Sequence, residues 1–251
     1  FFDCKCLNII WNYIEFNKKK NKPVKKKILI STGGSGGHTI PAITLYEHLK
    51  NDFEIFLTSD KRGAKYINEK NYNYKLIEIP RISKNFFKLP YVLIFFIISF
   101  FKSFFFMKKN NIEILISTGG YMSLPLCISA KILKIKIYLF EPNIVIGRSN
   151  KFFLKFSEKI ITYFQDLKNF PKKYRSKIFF INPLLRKKIY QEKENSENRT
   201  KKSFTILIIG GSQGAEFFDN EISELMIDLF SEYRISLIQQ IPDDNKKKII
   251  R

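Results

Sequence analysis

The sequence predicts two α/β domains, each with a parallel sheet covered by helices, and the second is incomplete within the 251 residues. Three observations support this fold class. Short apolar runs of strand length alternate with stretches of helical periodicity, several runs end directly in glycine-rich turns, and the same order restarts after a polar stretch at 191–203. Repeated strand, turn and helix units are typical of parallel sheets with helices on both faces.

The first domain is predicted to contain five strands. They correspond to the apolar runs at 28–30, 53–57, 112–116, 135–139 and 159–162. One helix is predicted from the pattern of residues beyond Pro41, and another is predicted to run through 128–132, because apolar residues recur there at helical spacing. Strands and helices therefore alternate along most of this part of the chain.

The domain boundaries follow from changes in composition. Residues 1–24 precede the first strand and are assigned to no domain, and residues 25–190 form the first domain. Residues 191–203 are polar and are predicted to be a solvated linker. A buried-type strand at 204–209 then opens a second domain, 204–251, which has room for about two strands. This chain therefore contains only the start of its second domain.

The chain is strongly basic, with 44 Lys and Arg against 23 Asp and Glu and a formal net charge of +21. Only eight of the basic residues are arginine, the residue whose bidentate fork best reads bases and phosphates. Lys, Asn, Ile and Phe are abundant throughout, which is typical of an A/T-rich genome. We therefore predict attraction to an anionic membrane surface and no nucleic-acid partner.

Residues 89–107 form the most apolar segment of the sequence, with Lys88 before it and two lysines after it. The length approaches that of a membrane span, but Pro90, Lys102 and the position between two strands of one sheet argue against one. Three interpretations stay open: a buried core helix, a helix that lies on a membrane with its aromatic face inserted, and a true span. The flanking lysines can meet lipid phosphates and favour the second.

The first glycine turn, Gly-Gly-Ser-Gly-Gly-His at 33–38, directly follows the first strand. Its glycines allow close approach of a ligand, and the following helix N-terminus favours a phosphate, a diphosphate or a developing negative charge. No Gly-Lys-Ser/Thr follows, and Thr39 stands where the dinucleotide pattern needs glycine, so neither nucleotide motif is complete. His38 could take a proton from an attacking hydroxyl; the alternative is a helix-capping or backbone-bonding role.

Three further strand ends carry glycine or polar residues. The turn at 117–123 contains Tyr121, which is either a stacking platform or a packing residue. Glu141 and Asn143 follow another strand and could bind sugar hydroxyls or orient a base, or Asn143 could simply close a turn. A last glycine turn at 210–215 opens the second domain. Because such turns converge where ligands of parallel sheets bind, together they predict a two-domain nucleotide-sugar enzyme.

These motifs also occur in the order and spacing of a known family. The matching residues are Gly33-Gly34-Ser35-Gly36-Gly37-His38 with Pro41-Ala42, Gly119-Gly120-Tyr121-Met122-Ser123, Glu141-x-Asn143 with Gly147 and Asn150-Lys151, Asn182-Pro183-x-x-Arg186, and Gly210-Gly211-Ser212-Gln213-Gly214-Ala215. From about residue 25 to about residue 240, the chain resembles the MurG family of bacterial glycosyltransferases.

The resemblance implies two facing Rossmann-like domains of the GT-B type, the first binding mainly the acceptor and the second mainly the donor. It implies inverting transfer of N-acetylglucosamine from UDP-N-acetylglucosamine to the undecaprenyl-linked muramyl-pentapeptide of peptidoglycan synthesis, with no metal or other cofactor. The expected location is peripheral, on the cytoplasmic face of the bacterial inner membrane, with 89–107 as the membrane contact. The alternatives are a related two-domain transferase acting on another lipid acceptor, and a non-catalytic fragment.

The resemblance and the strand-end residues together give a set of expected site residues. His38 is expected to be the catalytic base or a close neighbour of it. The expected substrate contacts are Ser35, Gly36, Gly37, Tyr121, Glu141, Asn143, Arg186, Ser212 and Gln213. Arg186 is chemically suited to clamp a diphosphate.

The sequence departs from the family in two respects. Phe140 and Pro142 stand where the family commonly has His and Gln, which removes any role of that histidine. The resemblance also implies that the nucleoside-binding residues lie beyond Arg251. This chain alone is therefore predicted to be inactive.

Overall fold

The computed structural model describes residues 25–67, 72–78, 89–186, 189, 204–209 and 235–239. The chain divides into two compact units, Phe1–Tyr190 and Gln191–Arg251. The strands of the first unit are β1 (Lys27–Ser31), β2 (Glu54–Ser59), β3 (Tyr74–Leu76), β4 (Ile114–Ser117), β5 (Lys136–Glu141), β6 (Lys159–Thr162) and β7 (Ile178–Phe180). Its helices are α1 (Gly36–Leu49), α2 (Lys61–Ala64), α3 (Leu89–Lys109), α4 (Ser123–Ile132) and α5 (Arg148–Phe153), with a 3-10 helix at Lys172–Lys177.

The first unit is built on one seven-stranded sheet in the order β3-β2-β1-β4-β5-β6-β7. Every adjacent pair is parallel, and the central pair aligns Ile28 with Ile114 and Ser31 with Ser117. The strand order reverses between β1 and β4, which is the topological switch point of a doubly wound, Rossmann-like sheet. The predicted α/β class and all five predicted strands of this unit are confirmed.

Apolar side chains cover both faces of this sheet, as expected for parallel strands with helices on each side. On one face Ile28, Ile30 and Ile116 join Leu45 and Leu49 of α1 in one buried cluster. On the other face Leu29, Leu115 and Leu139 join residues of α3, α4 and α5, including Met107, Leu126 and Phe153. Successive residues of β1 therefore contribute to both clusters, Ile28 and Ile30 to the one with α1 and Leu29 to the one with α3, α4 and α5.

The helix predicted from the pattern beyond Pro41 is confirmed, but it begins earlier, at Gly36, and so contains Pro41. Ser35 has extended backbone angles, and its carbonyl accepts the first helical bonds from the N–H groups of His38 and Thr39, both at 3.1 Å. Proline removes one helical donor, but Thr39 and Leu45 are fully buried against the unit. Packing therefore outweighs the local cost, and His38 lies within the first turn of the helix.

By its length and composition, helix α3 could cross a membrane. Of the residues in its most apolar 18-residue stretch, 22% are buried. Ser99, Ser103 and Met107 form its buried side. The exposed side carries seven large apolar residues that are at least 42% exposed: Tyr91, Leu93, Ile94, Ile97, Ile98, Phe101 and Phe105. The interpretation as a buried core helix is therefore wrong.

The same helix connects β3 to β4, which are strands of one sheet. The Ser99 hydroxyl donates to the carbonyl of Glu78 at 2.7 Å, and Ser129 of α4 donates to the carbonyl of Phe100 at 3.2 Å. Crossing a bilayer would break these contacts and separate the strands. The placement thus favours a helix that lies on the surface of the domain.

In the second unit the described elements are two parallel strands, β8 (Phe204–Ile208) and β9 (Ile235–Gln239). Their register aligns Phe204 with Ile235 and Ile208 with Gln239. The strand predicted at 204–209 is thereby confirmed. The glycine turn predicted at 210–215 and the linker predicted at 191–203 lie outside the described residues.

Candidate functional site

Two glycine turns meet at the switch point of the sheet. The first turn, residues 32–35, connects β1 to α1, and the second, residues 118–122, connects β4 to α4. They are adjacent because β1 and β4 are hydrogen-bonded neighbours, and the Thr118 N–H donates to the carbonyl of Ser31 at 3.0 Å. We call these two turns together with His38 the switch-point site.

His38 bridges the two turns. Its Nδ1 lies 2.8 Å from the carbonyl oxygen of Thr118. Because a carbonyl oxygen can only accept, Nδ1 carries the hydrogen, and Nε2 of the neutral ring keeps a lone pair. Among the described residues no hydrogen bond to Nε2 is found, whereas Nδ1 is bonded to Thr118. The geometry therefore presents a half-buried imidazole with a free basic nitrogen, as a proton acceptor requires.

Glycine is needed where the second turn passes the histidine. Gly119 and Gly120 have φ values of +91° and +82°, which L side chains rarely adopt. A Cβ at Gly119 would also lie 3.4 Å from Cε1 of His38 and 3.3 Å from Nδ2 of Asn150. The two glycines thus let the backbone fold closely around the imidazole ring.

The other residues expected in the first turn lie where α1 begins. Ser35 and Gly37 are exposed and Gly36 is buried, and all three precede His38 at the N-terminal end of the helix. The unpaired N–H groups and partial positive charge of a helix N-terminus favour an anionic group. Contact of these three residues with a substrate stays a prediction.

Asp60 holds the first turn from the side of β2. It is buried, with its side chain 6% exposed. Its Oδ1 accepts from the N–H groups of Gly34 and Gly63, both at 2.8 Å, and its Oδ2 accepts from Arg62 Nε at 3.2 Å and Nη2 at 3.0 Å. The carboxylate therefore ties the loop after β2 to the loop after β1.

Ionisation of Asp60 is expected to make the stability of the unit depend on pH. Burial by itself would raise the pKa of the carboxyl, but the N–H groups of Gly34 and Gly63 and the Arg62 guanidinium together hold it below its ordinary value. The ionised group therefore stabilises the fold above the unfolded-state pKa of about 3.9, and this contribution is lost as pH falls through the folded-state pKa.

Asp60→Asn tests this pH dependence. The amide Nδ2 would face the Arg62 donors, so we expect a loss of about 1–3 kcal/mol in the free energy of unfolding at pH 7. In urea titrations the difference between the wild type and the variant should shrink at pH 3. An equal difference at both pH values would contradict the assignment.

Tyr121 of the second turn packs against Arg62. Its hydroxyl accepts a hydrogen bond from Arg62 Nη2, and the guanidinium carbon lies 5.1 Å from the centre of the ring. One face of the ring is therefore covered by a side chain of the protein. This supports the packing interpretation of Tyr121, and its contact with a substrate stays a prediction.

Glu141 organises the loop after β5. It is fully buried. Its Oε1 accepts from Asn143 N at 3.3 Å and Nδ2 at 3.0 Å, and its Oε2 accepts from Gly147 N at 2.8 Å and Asn150 Nδ2 at 3.1 Å. Both oxygens are thus occupied by donors of the protein. The geometry favours an orienting role for Glu141 and leaves the exposed Asn143 as the residue of this pair that can reach a ligand.

Arg186 lies at the other end of α1. The carbonyl of Leu185 is 2.9 Å from His48 Nε2, and ten residues of helix separate His38 from His48, or about 15 Å. Arg186 is close enough to Tyr72 to influence the charge state of its hydroxyl. Its Nε is buried and has no hydrogen-bond partner among the described residues. The structure of this unit therefore does not bring Arg186 to the switch-point site, and its role as a diphosphate clamp stays a prediction.

Two expected site residues, Ser212 and Gln213, lie outside the described residues. In the described ranges no three His, Cys, Asp or Glu side chains are grouped as a metal site. The expectation that no metal is used stays a prediction.

Asp60 and Arg62 contribute to the site but were not predicted from the sequence, and Asn150 was named only as part of the family motif, with no role assigned to it. A usable signal was present for Asp60 and Arg62, because they directly follow a strand that neighbours β1 and so lie at the same edge of the sheet. Asn150 is fixed by Glu141 and by Ser117, whose hydroxyl lies 3.4 Å from Asn150 Oδ1. No local pattern in the sequence indicates that contact.

The fold and the site define the class of protein. The structure is similar to that of MurG from Acinetobacter baumannii, with a TM-score of 0.65 and 21% sequence identity over 89% of this chain and 63% of that one. This likeness, together with the Rossmann-like sheet and its glycine turns, shows a fold of the GT-B type.

Sequence comparison identifies the family within that class. The profile of the glycosyltransferase family 28 N-terminal domain matches residues 28–162. The chain belongs to this family.

Two relatives carry the name UDP-N-acetylglucosamine--N-acetylmuramyl-(pentapeptide) pyrophosphoryl-undecaprenol N-acetylglucosamine transferase. The protein from Pelagibacter ubique (strain HTCC1062) is 50% identical over 217 residues, which is 86% of this chain and 60% of the relative. The protein from the Wolbachia of Brugia malayi (strain TRS) is 36% identical over 225 residues, or 88% of this chain and 62% of the relative. The chain thus spans about three fifths of the length of these relatives.

Proposed function

We propose that this chain is the acceptor-binding part of a transferase that moves N-acetylglucosamine from UDP-N-acetylglucosamine to an undecaprenyl-linked muramyl-pentapeptide. The single observation that supports this best is His38, whose Nε2 is free between two glycine turns at the switch point. The relatives named above give the substrates.

In the proposed reaction His38 Nε2 takes the proton of the acceptor hydroxyl as that oxygen attacks the anomeric carbon of the donor. The bond between the sugar and UDP breaks in the same displacement, so the configuration inverts. The N–H groups at the start of α1 can stabilise negative charge that develops nearby. Asn143, Arg186, Ser212 and Gln213 are proposed to contact the donor together with the second domain, which starts near residue 204.

The test is transfer of radiolabelled sugar from UDP-N-acetylglucosamine to the lipid-linked acceptor by the protein encoded by the whole reading frame. We expect labelled product with this acceptor and none with an undecaprenyl-linked acceptor that lacks the muramyl-pentapeptide. Transfer to a different lipid would favour a related transferase. Absence of transfer to any acceptor would favour a non-catalytic role.

We also propose that the exposed face of α3 holds the protein on the cytoplasmic surface of an anionic membrane, where the acceptor lies. Tyr91, Ile94, Ile98, Phe101 and Phe105 follow one another at steps of three and four residues, so they form a single stripe. Three exposed lysines, at 102, 108 and 109, lie on the same helix. An apolar stripe with cations beside it is typical of interfacial helices.

Liposome flotation tests this surface. Insertion of one phenylalanine contributes about 1.5–3 kcal/mol, so Phe105→Glu should lower the partition coefficient onto anionic vesicles by roughly 10- to 100-fold. Phe152→Glu is a matched control, because Phe152 is 67% exposed on α5 and Phe105 is 62% exposed. Equal losses in both variants, or none in either, would contradict docking through α3.

A further inference from the structure

We propose that Arg62 is a positioning residue that fixes the spacing between the two glycine turns of the switch-point site; its kinetic consequence rests on the proposed function. Arg62 belongs to α2, which directly touches the first turn. A Cβ at Gly63 would overlap the Ser59 hydroxyl and lie 3.0 Å from Cα of Gly33. The short helix is therefore packed against the turn as closely as glycine permits.

One end of the connection is the first turn. Asp60 accepts from the N–H of Gly34 through Oδ1 and from Arg62 through Oδ2. A Cβ at Gly34 would lie 3.6 Å from Arg62 Nη2, so the guanidinium also lies beside the backbone of the turn. The first turn, the carboxylate and the guanidinium thus form one connected group.

The other end is the second turn. Arg62 Nη2 donates to the hydroxyl of Tyr121, which lies 3.5 Å from Asp60 Oδ2, and the guanidinium covers one face of the ring. Arg62 therefore bonds simultaneously to a residue that holds the first turn and to a residue of the second. A planar guanidinium with several fixed donors can do this, whereas the single ammonium of lysine cannot match both directions.

The charges indicate a role in geometry more than in ligand attraction. Asp60 neutralises Arg62, and Nε and Nη2, the two nitrogens involved, are directed at protein groups. Arg62 is also 34% exposed, so solvent screens the attraction between its charge and that of Asp60. Loss of the Arg62 side chain would therefore mainly change the distance between the two glycine turns.

That distance matters because His38 depends on both turns. The residue belongs to the helix that the first turn begins, while its Nδ1 bonds to Thr118 and its ring lies against Gly119 of the second. A shift of one turn against the other would therefore displace the free Nε2. Misplacement of a reacting group by about 1 Å can lower a rate by up to about 100-fold.

Hydrogen–deuterium exchange tests the proposal without an activity assay. In Arg62→Gln and in Tyr121→Phe, peptides covering 32–38 and 117–123 should both exchange faster than in the wild type. Lys61→Gln is the matched control, since Lys61 is the neighbouring cation of α2, is 76% exposed and pairs with Glu78 at the surface. Faster exchange confined to 60–67 would show that Arg62 only supports its own helix, and would overturn the proposal.

Kinetics of the complete enzyme give the second readout. Arg62→Gln should lower kcat by roughly 10- to 100-fold, Arg62→Lys should lower it less, and Lys61→Gln should match the wild type. The double variant Arg62→Gln/Tyr121→Phe should lose no more than Arg62→Gln alone, because both changes break the same connection. The proposal would be overturned if the kcat losses of the two single variants multiplied in the double variant while hydrogen–deuterium exchange in both turns stayed unchanged. If the wild type transfers no sugar, the proposed function fails, whereas the exchange experiment still decides the role of Arg62.

Discussion

His38→Asn is expected to lower kcat of sugar transfer by about 10²- to 10⁴-fold, the usual contribution of a positioned general base. Asparagine can still donate to the Thr118 carbonyl that now accepts from His38 Nδ1, but it has no basic nitrogen at the position of Nε2. The variant thus removes the proton acceptor and keeps the bond that joins α1 to the second turn. The measurement is single-turnover transfer with both substrates saturating.

The control for this variant is His48→Gln. The sequence has two histidines, and His48 lies at the far end of the same helix, where Gln can still bond to the carbonyl of Leu185. We expect its kcat to stay within about twofold of the wild type, since it lies about 15 Å along the helix from His38. Full activity of His38→Asn would exclude His38 as the base. Equal losses in both variants would point to a structural effect on α1.

Glu141→Gln is expected to have the second largest effect, on stability as well as on transfer. Four donors now converge on the two carboxylate oxygens of this buried side chain. Glutamine has the same shape, but its NH₂ group would face two of these donors and leave them without an acceptor. Because unsatisfied buried donors cost about 1–3 kcal/mol, the melting temperature should fall by about 2–4 °C for each kcal/mol lost.

Glu141→Gln should also disturb substrate binding, because Glu141 holds the loop after β5 in place. Glu141 holds Asn143, which is proposed to contact the donor, and Asn150, which lies against Gly119. We therefore expect KM for UDP-N-acetylglucosamine to rise together with the fall in melting temperature. Glu158→Gln, at an exposed position before β6, should change neither. A raised KM with an unchanged melting temperature would mean that Glu141 itself contacts the substrate.

The prediction from sequence was accurate where the signal is local. The five strands predicted in the first unit have apolar runs long enough to be recognised, and all five lie inside the sheet. Strands β3 and β7 were not predicted, because each has three residues and pairs on one side only. The exact start of α1 was not predicted, because apolar residues at helical spacing are recognisable beyond Pro41, whereas its first residues, Gly36, Gly37 and His38, lack such a pattern.

The arrangement of charged side chains could not be read in the same way. Glu141 follows a strand, which predicts a place at the ligand edge, but its burial results from Gly147 and Asn150 folding back onto it. Arg186 belongs to a motif of the family, yet its position beside Tyr72 depends on the path of the chain after β7. These contacts join residues that are distant in sequence, and no short pattern records them.

The sequence by itself determined the doubly wound sheet, the glycine turns and the histidine between them, because strand length, helical period and the need for glycine are properties of neighbouring residues. The tertiary structure alone decided that His38 keeps Nε2 free, that Asp60 and Arg62 join the two turns, and that α3 exposes one apolar stripe. Each of these depends on which groups satisfy one another's hydrogen bonds or leave apolar area uncovered once strands from different parts of the chain are side by side.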